Sequence, residues 1–475
     1  MDRLIFPAQQ NRRFYDVLFV AVVVFVIAFK FNDIFLPYFW DELGVYTQAA
    51  NYQYEHTISL MPSSVPADFS RGHPLLFTFI YALVYKIFGN QVYVAHVFSI
   101  LVSLFLLWLV YIKTARYFNP LSAIVCVVLL AIQPVFLAQS SLVLPEIMLS
   151  LFAFLSLTAY YEKKYFQFAL FASMAILTKE SAIVLPATVV AYSLVQWLIL
   201  RNRPGAFRLG NILLTLLPYC VFGVFLLIQK QQNGWYFFPY HIESVSFEPL
   251  KFWQQLSKFF DFIFWHQGRY WCEKIIFIAI GISMLTNRLN WRNVGNSFLT
   301  LAAIFMLAFF SFSALSFYME RYVMAVLFPA FIIVAVSITS IWKNKIFVIA
   351  TTLFLCFIAL QYMEAVNFQY DSDLGYRRQV HCLQRAVDYV SKVSKPGEIM
   401  NGNFPSYYAI GFQQAGYLTN KKMNAQTVAD MDVNYFLLCD PGTTVDIGED
   451  KYEVTLLKSF VDGFAKVKIY RVRKR

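Results

Sequence analysis

The sequence predicts a polytopic α-helical membrane protein with a small α/β domain outside the membrane at its C-terminal end. Of the 475 residues, 59% are hydrophobic and only 14% are charged, far less charge than a soluble protein of this length carries. Hydrophobic stretches of about 20 residues recur along the chain, and an α-helix needs this length to cross a bilayer. From about residue 364 the pattern changes to that of a mixed α/β fold.

The hydrophobic runs predict about eleven membrane-spanning helices. A further run at 74–88 is shorter, nearer to the length of a re-entrant or interfacial segment. The predicted spans lie at 14–33, 92–112, 119–138, 147–161, 165–179, 181–200, 209–229, 272–286, 297–317, 322–342 and 345–363.

Lysine and arginine fall in every second loop between these runs, as the positive-inside rule requires of cytoplasmic loops. The alternation holds only if 74–88 does not cross, so we place this run in a long first outer loop, 34–91. The N-terminus is then cytoplasmic, without a cleavable signal, and the C-terminal domain is outside. Much of the net charge of +11 lies in these clusters, so it does not indicate a nucleic-acid partner. The basic positions are Arg12, Arg13, Lys113, Arg116, Lys163, Lys164, Arg201, Arg203, Arg208, Arg288, Arg292, Lys343 and Lys345.

This topology collects most of the isolated charges that border hydrophobic runs on the outer face. A charge at such a place is costly unless it is paired or functional, so we expect a functional site there. The outer loops contain Asp41–Glu42, Arg71 and His73 in "RGHPLL", Glu146, Lys179–Glu180, the loop 230–271 and Glu320–Arg321.

The last segment, 364–475, predicts the α/β domain. Val380, Leu383, Val387 and Val390 fall near one face of an amphipathic helix. "KPGEIMNGN" predicts a turn leading into a strand, "SYYAIGFQQAG" a short helix, and "NYFLLCD" and "KVKIYRVR" two strands. Cys382 and Cys439 both lie in this domain, where either a disulfide or two buried thiols are compatible with the sequence.

The acidic pair Asp41–Glu42 has three interpretations. The residues are an interfacial anchor, part of an ion path in a transporter, or a general base that takes a proton from an acceptor hydroxyl. Lys179 and Arg321, at the outer ends of spans, suit a phosphate headgroup, although either could simply extend to the interface. An acid for the attacking group together with cations for a leaving phosphate favours group transfer from a lipid phosphate. The middles of the spans are nearly free of charge, which counts against a transporter.

Several motifs occur in a fixed order along this topology. Asp41–Glu42 follows the first span, and His73–Pro74 lies late in the first outer loop. Glu146 begins the fourth span and Lys179 follows the fifth, while Arg321–Tyr322 opens a late span that contains proline. In this order the chain resembles GT-C fold glycosyltransferases of the dolichyl-phosphate-mannose protein mannosyltransferase and aminoarabinose transferase kind. The resemblance covers nearly all of the membrane part.

The resemblance implies a donor sugar linked to a polyprenyl phosphate and inversion at the anomeric carbon. It implies that Asp41 is the base and that Glu42 supports it or shapes the acceptor site. Lys179 and Arg321 would hold the donor phosphate. The remaining cavity residues would be Arg71, His73, Glu146 and Tyr322.

The chain departs from the family pattern in two places. Leu75 follows Pro74 where a second proline is common, and Glu146 replaces an aspartate, which leaves its reach in question. No aspartate cluster for a nucleotide sugar is evident, so we expect no required cofactor and leave a divalent metal ion open.

The partners implied are the lipid-linked donor, the bilayer, and an acceptor that is a lipid, a glycan or a protein. A bacterial inner membrane is the expected location. The alternative functions are a transporter or flippase of a lipid-linked glycan and, third, a structural subunit of an envelope complex. The loop 230–271, with His241, Trp265, His266 and Arg269, either shapes the acceptor site or lies on the membrane.

Overall fold

A computed structural model describes the chain at residues 12–200, 208–286, 297–316, 318–342, 344–364, 371–418, 424–425, 433–439 and 451–475. The predicted cytoplasmic basic positions Arg201, Arg203, Arg288, Arg292 and Lys343 lie outside these described residues.

Most of the described chain is helical, and a helix lies in each of the eleven predicted runs. Besides a single α-helical turn at Ala67–Ser70, the helices are α1 (Arg12–Lys30), α2 (Thr47–Glu55), α3 (Leu76–Phe88), α4 (Val92–Tyr117), α5 (Pro120–Ala131), α6 (Pro134–Gln139), α7 (Pro145–Tyr161), α8 (Tyr165–Thr178), α9 (Val184–Leu200), α10 (Leu209–Asn233), α11 (Pro239–Ser244), α12 (Pro249–Phe264), α13 (Tyr270–Leu285), α14 (Phe298–Ser313), α15 (Met324–Ile341), α16 (Lys345–Leu360), α17 (Tyr376–Val393) and α18 (Ser406–Gly411).

Four helices of the described chain are long and apolar enough to cross a membrane by themselves, which agrees with an integral membrane protein. They are Val92–Tyr117, Glu180–Leu198, Leu209–Asn233 and Glu320–Ile341, two of which include a 3₁₀ turn at their start. Others, such as α7 and α14, are apolar but shorter. The number of eleven spans is therefore not confirmed and stays a prediction.

The run 119–138 differs from the single helix predicted for it, because it consists of α5 and α6. Pro134 supplies no N–H, and a proline disfavours helical backbone at the residue before it. Gln133 is accordingly extended, with φ −69° and ψ 130°, and α6 begins at Pro134.

The helical hairpin α7–α8 places two predicted site residues at the same end of the molecule. The turn at 162–164 joins α7 to α8, so the beginning of α7 and the end of α8 lie at the opposite end. Glu146 is in the first turn of α7, which Pro145 starts, and Lys179 directly follows α8. Arg321 reaches the same place from a 3₁₀ turn, Glu320–Val323, that leads into α15.

The predicted first outer loop contains a sharp turn just before Asp41. Trp40 has φ 52°, a left-handed conformation that is unfavourable for a bulky residue and persists only where surrounding contacts fix it. A π-helical turn, Glu42–Tyr46, continues directly into α2. Asp41 thus stands at the N-terminal end of a helical segment.

The C-terminal part forms a five-stranded mixed sheet with α17 packed on it. The strands are β1 (Ile399–Gly402), β2 (Asn424–Ala425), β3 (Tyr435–Cys439), β4 (Tyr452–Asp462) and β5 (Ala465–Lys474), in the order β2-β1-β3-β5-β4. β1 is parallel to β2 and β3, whereas β5 is antiparallel to β3 and β4.

The sequence interpretation of this part agrees with the structure in its helices and in three strands, and it missed β2 and β4. Val380, Leu383, Val387 and Val390 are buried, as the amphipathic pattern predicted. Cys382 and Cys439 are buried and form no disulfide: the Cys382 thiol faces the Ala465 carbonyl, and Gln379 donates to the Cys439 sulfur.

The C-terminal part packs directly against the turn that carries Asp41. The Tyr38 amide donates to the Ala415 carbonyl at 3.0 Å. The rings of Trp40 and Phe404 meet edge to face, with 4.7 Å between their centroids. A second contact joins α1 to α17 through a buried charge cluster of Lys30, Asp33, Tyr376 and Arg377.

Candidate active site

A cavity of about 490 Å³ lies at the end of the helices where Glu146, Lys179 and Arg321 meet. It has a charged end and an apolar end. The predicted site residues that line it are Asp41, Arg71, His73, Glu146, Lys179, Arg321 and Tyr322. The structure therefore brings seven of the eight predicted residues to one cavity.

Arg321 is the centre of the charged end. Its guanidinium is buried and donates to three carboxylates: Asp41 through Nη2, Asp371 through Nη1 and Glu146 through Nε at 3.2 Å. Arginine suits this arrangement because its donors point outward in a planar fork. Any anion that binds Arg321 in the cavity must compete with these carboxylates.

Lys179 and Glu146 form a second ion pair beside Arg321. The Lys179 ammonium donates to Glu146 Oε1 at 2.8 Å and lies 3.8 Å from the centre of the Tyr322 ring. Glu146 Oε1 thus accepts from both cations, so the longer side chain of glutamate has the reach that the sequence left in question. Its second oxygen, Oε2, has no hydrogen-bond partner among the described residues.

Asp41 and Asp371 both pair with Arg321, but their pKa values shift in opposite directions. Burial acts to raise the pKa of Asp41, but the Arg321 guanidinium, together with Arg71 and Lys179, outweighs burial and holds this pKa below its usual value. Burial raises the pKa of Asp371 to about 6, and Arg321 only partly offsets it. Asp41 is also the accessible one, with 20% of its side chain exposed against 3% for Asp371.

Glu42, which was expected to support Asp41 or to shape the acceptor site, does not line the cavity. Its buried carboxylate accepts from the Phe39 amide at 3.0 Å, the Val143 amide at 2.8 Å and His96 Nε2 at 2.7 Å. These bonds tie the turn before Asp41 to α4 and to the segment before α7. The Glu42 carboxylate therefore lies outside the cavity and fixes the turn next to Asp41.

Three side chains form a cluster elsewhere in the cavity wall. His73 Nδ1 lies 3.1 Å from both oxygens of Glu180, and the ring centres of His73 and His241 are 4.8 Å apart. Burial lowers the pKa of His241 to about 4, and the neighbouring His73 ring contributes to the shift.

The apolar end of the cavity is formed by three segments. α10 and α14 supply aromatic side chains, and the chain between α10 and α12 covers them. The apolar lining consists of Phe222, Phe225, Leu226, Phe309, Phe312, Phe237, Phe238, Ile242, Val245 and Phe247. Such a surface suits a hydrocarbon chain, and it lines the same cavity as the charged residues.

The loop 230–271 divides into parts with different places. His241 lines the cavity, whereas Trp265 and His266 are exposed at its far end. Arg269 is buried among the carbonyls of Phe262 and Ile263, which satisfy its guanidinium away from the cavity. The exposed Trp253 and Leu250 of α12 form an apolar face of the kind that rests on a bilayer.

Sequence reasoning missed Asp371 as a ligand of Arg321 and gave Glu180 no role. Asp371 belongs to the stretch "DSDLG", which lies directly before α17 and is separated from the end of α16 by ten residues. Acids this close to the last predicted span were the available signal. Glu180 adjoins Lys179, but nothing in the sequence pairs it with His73.

Comparison with solved structures identifies the fold. ArnT from Cupriavidus metallidurans in the apo state superposes with a TM-score of 0.60 and 13% identity, covering 97% of this chain and 98% of that one. The same protein bound to undecaprenyl phosphate gives 0.58 and 13%, covering 96% and 98%. The oligosaccharyltransferase AglB from Archaeoglobus fulgidus, in complex with an inhibitory peptide and a dolichol-phosphate, gives 0.50 and 11%, covering 91% and 70%. This chain has the GT-C glycosyltransferase fold.

A protein-family model matches one segment of the chain. The dolichyl-phosphate-mannose-protein mannosyltransferase family model matches residues 72–222, about a third of the chain, a segment that contains His73, Glu146 and Lys179. The resemblance inferred from the sequence motifs is thereby confirmed. No curated protein sequence matches the chain.

Proposed function

We propose that this protein is an inverting glycosyltransferase that moves a sugar from a polyprenyl-phosphate donor to an acceptor on the outer side of the membrane. The observation that carries the proposal is the division of one cavity into an ionic end and an aromatic end. A polyprenyl phosphate has the same division, because a small charged head is joined to a long hydrocarbon chain. The ArnT structure with bound undecaprenyl phosphate supports this choice of ligand.

The proposed reaction is a single displacement at the anomeric carbon. The acceptor oxygen forms a bond to this carbon while the bond from the carbon to the phosphate oxygen breaks. Asp41 takes the proton of the acceptor hydroxyl, and the product is polyprenyl phosphate. The donor phosphodiester carries one negative charge and the leaving phosphate monoester gains a second, so Lys179 and Arg321 stabilise the leaving group more than the donor.

Arg321 links donor binding to the strength of the base. In the structure its guanidinium pairs with Asp41 and lowers the pKa of this carboxyl group. A donor phosphate that binds Arg321 offsets this positive charge, and the pKa of Asp41 then rises. Asp41 is therefore a stronger base when the donor is in place.

Glu146 supplies a further acceptor for substrate. Its oxygen Oε2 is buried and has no hydrogen-bond partner among the described residues, which is costly in a folded protein. A sugar hydroxyl could donate to this oxygen once the carboxylate turns toward the cavity that Glu146 lines. In the proposal Glu146 therefore orients the donor sugar as well as the two cations.

We propose that the reaction takes place at the outer face of a bacterial inner membrane. The basic residues of alternate loops support a cavity at the outer membrane face, and a bacterial inner membrane with an external C-terminal domain fits this topology. The acceptor is a lipid, glycan or protein that reaches the outer face.

Replacement of Asp41 tests the base. We expect Asp41→Asn to keep the fold and to lower transfer from an undecaprenyl-phosphate sugar at least about 100-fold, the typical contribution of a general base. Sugar transfer and released polyprenyl phosphate are measured with purified protein in detergent. The control is Asp68→Asn, an exposed acid of the same loop, which should be as active as wild type. Full activity in Asp41→Asn would remove Asp41 as the base.

The transporter alternative is tested with the wild-type protein in vesicles. A transferase releases polyprenyl phosphate when donor and acceptor are both present. Movement of intact donor between the leaflets, without cleavage of its sugar–phosphate bond, would support the transporter instead.

A further inference from the structure

His73, Glu180 and His241 lie together in the cavity wall. One ligand atom from each side chain can be chosen so that all three lie within 4.8 Å of one another. Among the described residues, no other group of three or more His, Cys, Asp and Glu side chains meets this criterion. The three residues come from the first loop, the start of a helix and the loop after α10, so only the fold brings them together.

The chemistry of these side chains selects a class of ion. Two imidazoles and one carboxylate form a donor set that favours zinc and neighbouring first-row divalent ions over magnesium or calcium, which prefer oxygen ligands. Bonds of about 2.0–2.1 Å to a tetrahedral ion put ligand atoms roughly 3.4 Å apart. His73 and Glu180 are already at 3.1 Å, and the other ligand atoms lie at most 4.8 Å apart, so the side chains must draw closer for an ion to be held.

The backbone holds the two histidine segments against each other. Arg71 and Gly72 are left-handed, with φ 46° and 70°, and form the turn that points His73 into the wall. A Cβ at Gly72 would lie 2.8 Å from the Trp235 ring and 2.9 Å from Phe238, in the chain that leads to His241. The close approach of these segments requires glycine and prepares the site before any ion binds.

We propose that His73, Glu180 and His241 bind a divalent ion of the zinc class, and that a phosphate oxygen of the donor completes its coordination. The coordination by the donor phosphate is the second half of this proposal, and it rests on the proposed function. The binding of the ion is the first half, and it does not. Three protein ligands leave a coordination position open, and all three residues line the cavity in which the donor is proposed to bind.

The site lies apart from the proposed base. Asp41 is paired with Arg321 and does not belong to the cluster. A bound ion would therefore act on the phosphate as a Lewis acid, alongside Lys179, and would leave the proton transfer to Asp41. The added positive charge would be balanced by the negative charge that develops on the leaving phosphate.

Cobalt binding tests the first half of the proposal. The full-length protein is purified in detergent with a tag that contains no histidine, treated with chelator, loaded with Co²⁺ and freed of excess ion. We expect about one Co²⁺ per chain, with visible absorption that Zn²⁺ abolishes by displacement. Wild-type protein that retains neither ion would overturn the proposal.

Variants locate the bound ion. His241→Ala should lose the ion, whereas His241→Cys should retain it and gain a near-ultraviolet thiolate–cobalt band, which a merely structural histidine would not produce. The matched control is His266→Ala, since His266 and Asp261 form an exposed pair at 2.8 Å without a third ligand. Unchanged cobalt binding in His241→Ala, or His241→Cys that binds cobalt without the new band, would contradict the site.

Addition of undecaprenyl phosphate tests the second half. The visible spectrum of the cobalt protein should change with undecaprenyl phosphate at concentrations where inorganic phosphate has no effect. An unchanged spectrum would overturn the phosphate contact. Sugar transfer and its dependence on Asp41 are measured separately, so the proposed function can stand when the metal contact fails.

Discussion

At the scale of single residues, the two adjacent acids of the first loop have different surroundings. Asp41 faces the cavity, whereas Glu42 turns into the protein and accepts from His96 and two backbone amides. A buried carboxylate is tolerated because several donors satisfy it. The alternation of one accessible and one buried acid follows from the sharp turn at Trp40.

Removal of the charge of Glu42 should disturb Asp41 indirectly. Glu42→Gln replaces an acceptor oxygen with an NH₂ group and leaves donors facing it, so we expect the free energy of unfolding to fall by about 3 kcal/mol. Transfer should slow with an unchanged KM for the donor, because Asp41 shifts while the phosphate ligands do not. The exposed Glu55→Gln should match wild type. A variant as stable and active as wild type would show that these bonds do not position Asp41.

At the scale of elements, the turn 37–44 depends on the C-terminal part of the chain. Phe404 contacts Trp40, and the space beside Gly44 is filled by the same ring, since a Cβ there would lie 2.4 Å from Phe404. The left-handed Trp40 is thus fixed by a residue more than 350 positions away in sequence.

Truncation of Phe404 should therefore reduce catalysis from outside the cavity. We expect Phe404→Ala to lower kcat about tenfold or more, because a misplaced base loses alignment with the acceptor. The control is Phe460→Ala, which removes a ring that packs on Tyr389 in the same domain without touching the first loop. Equal kcat values for both variants would count against the proposed coupling.

The sequence predicted the positions of the helices better than the breaks within them and the contacts between them. Hydrophobic runs located the helices because burial in lipid or protein leaves a long apolar stretch, yet they did not reveal the break at Pro134. Motif order identified seven cavity residues. The pairs formed by Arg321 with Asp371 and by His73 with Glu180 depend on how distant segments pack, and no local pattern encodes such contacts.

At the scale of the whole molecule, a buried charge cluster fastens the C-terminal part to α1. Asp33 pairs with Lys30 and accepts from Arg377 at 2.8 Å, while the Tyr376 hydroxyl donates to it at 3.1 Å. Burial alone would raise the pKa of Asp33, but Lys30 and Arg377 outweigh it and hold this pKa below the ordinary value of 3.8.

The lowered pKa of Asp33 predicts a loss of stability in acid. The stabilisation is fully present above pH 3.8 and is lost as the pH falls through the lower pKa of the folded protein. Asp33→Asn should cost about 3 kcal/mol at pH 7, and the difference from wild type should shrink below pH 3.8. Denaturant unfolding in detergent at several pH values measures this.

A surface ion pair provides the control for the acid experiment. Asp388 and Lys392 are both largely exposed in the same helix, so Asp388→Asn should change stability little at any pH. A constant difference between wild type and Asp33→Asn down to the lowest pH would contradict the assigned titration.

The shared guanidinium of Arg321 has a consequence for turnover. A lone arginine and lysine in a half-closed cavity would hold a dianionic polyprenyl phosphate so tightly that its departure would limit the rate. Here every anion that leaves Arg321 is replaced by Asp41, Glu146 or Asp371, so the protein recovers part of the binding energy on release. In the proposed reaction, the carboxylates compete with the product for Arg321 and prepare the cavity for the next lipid.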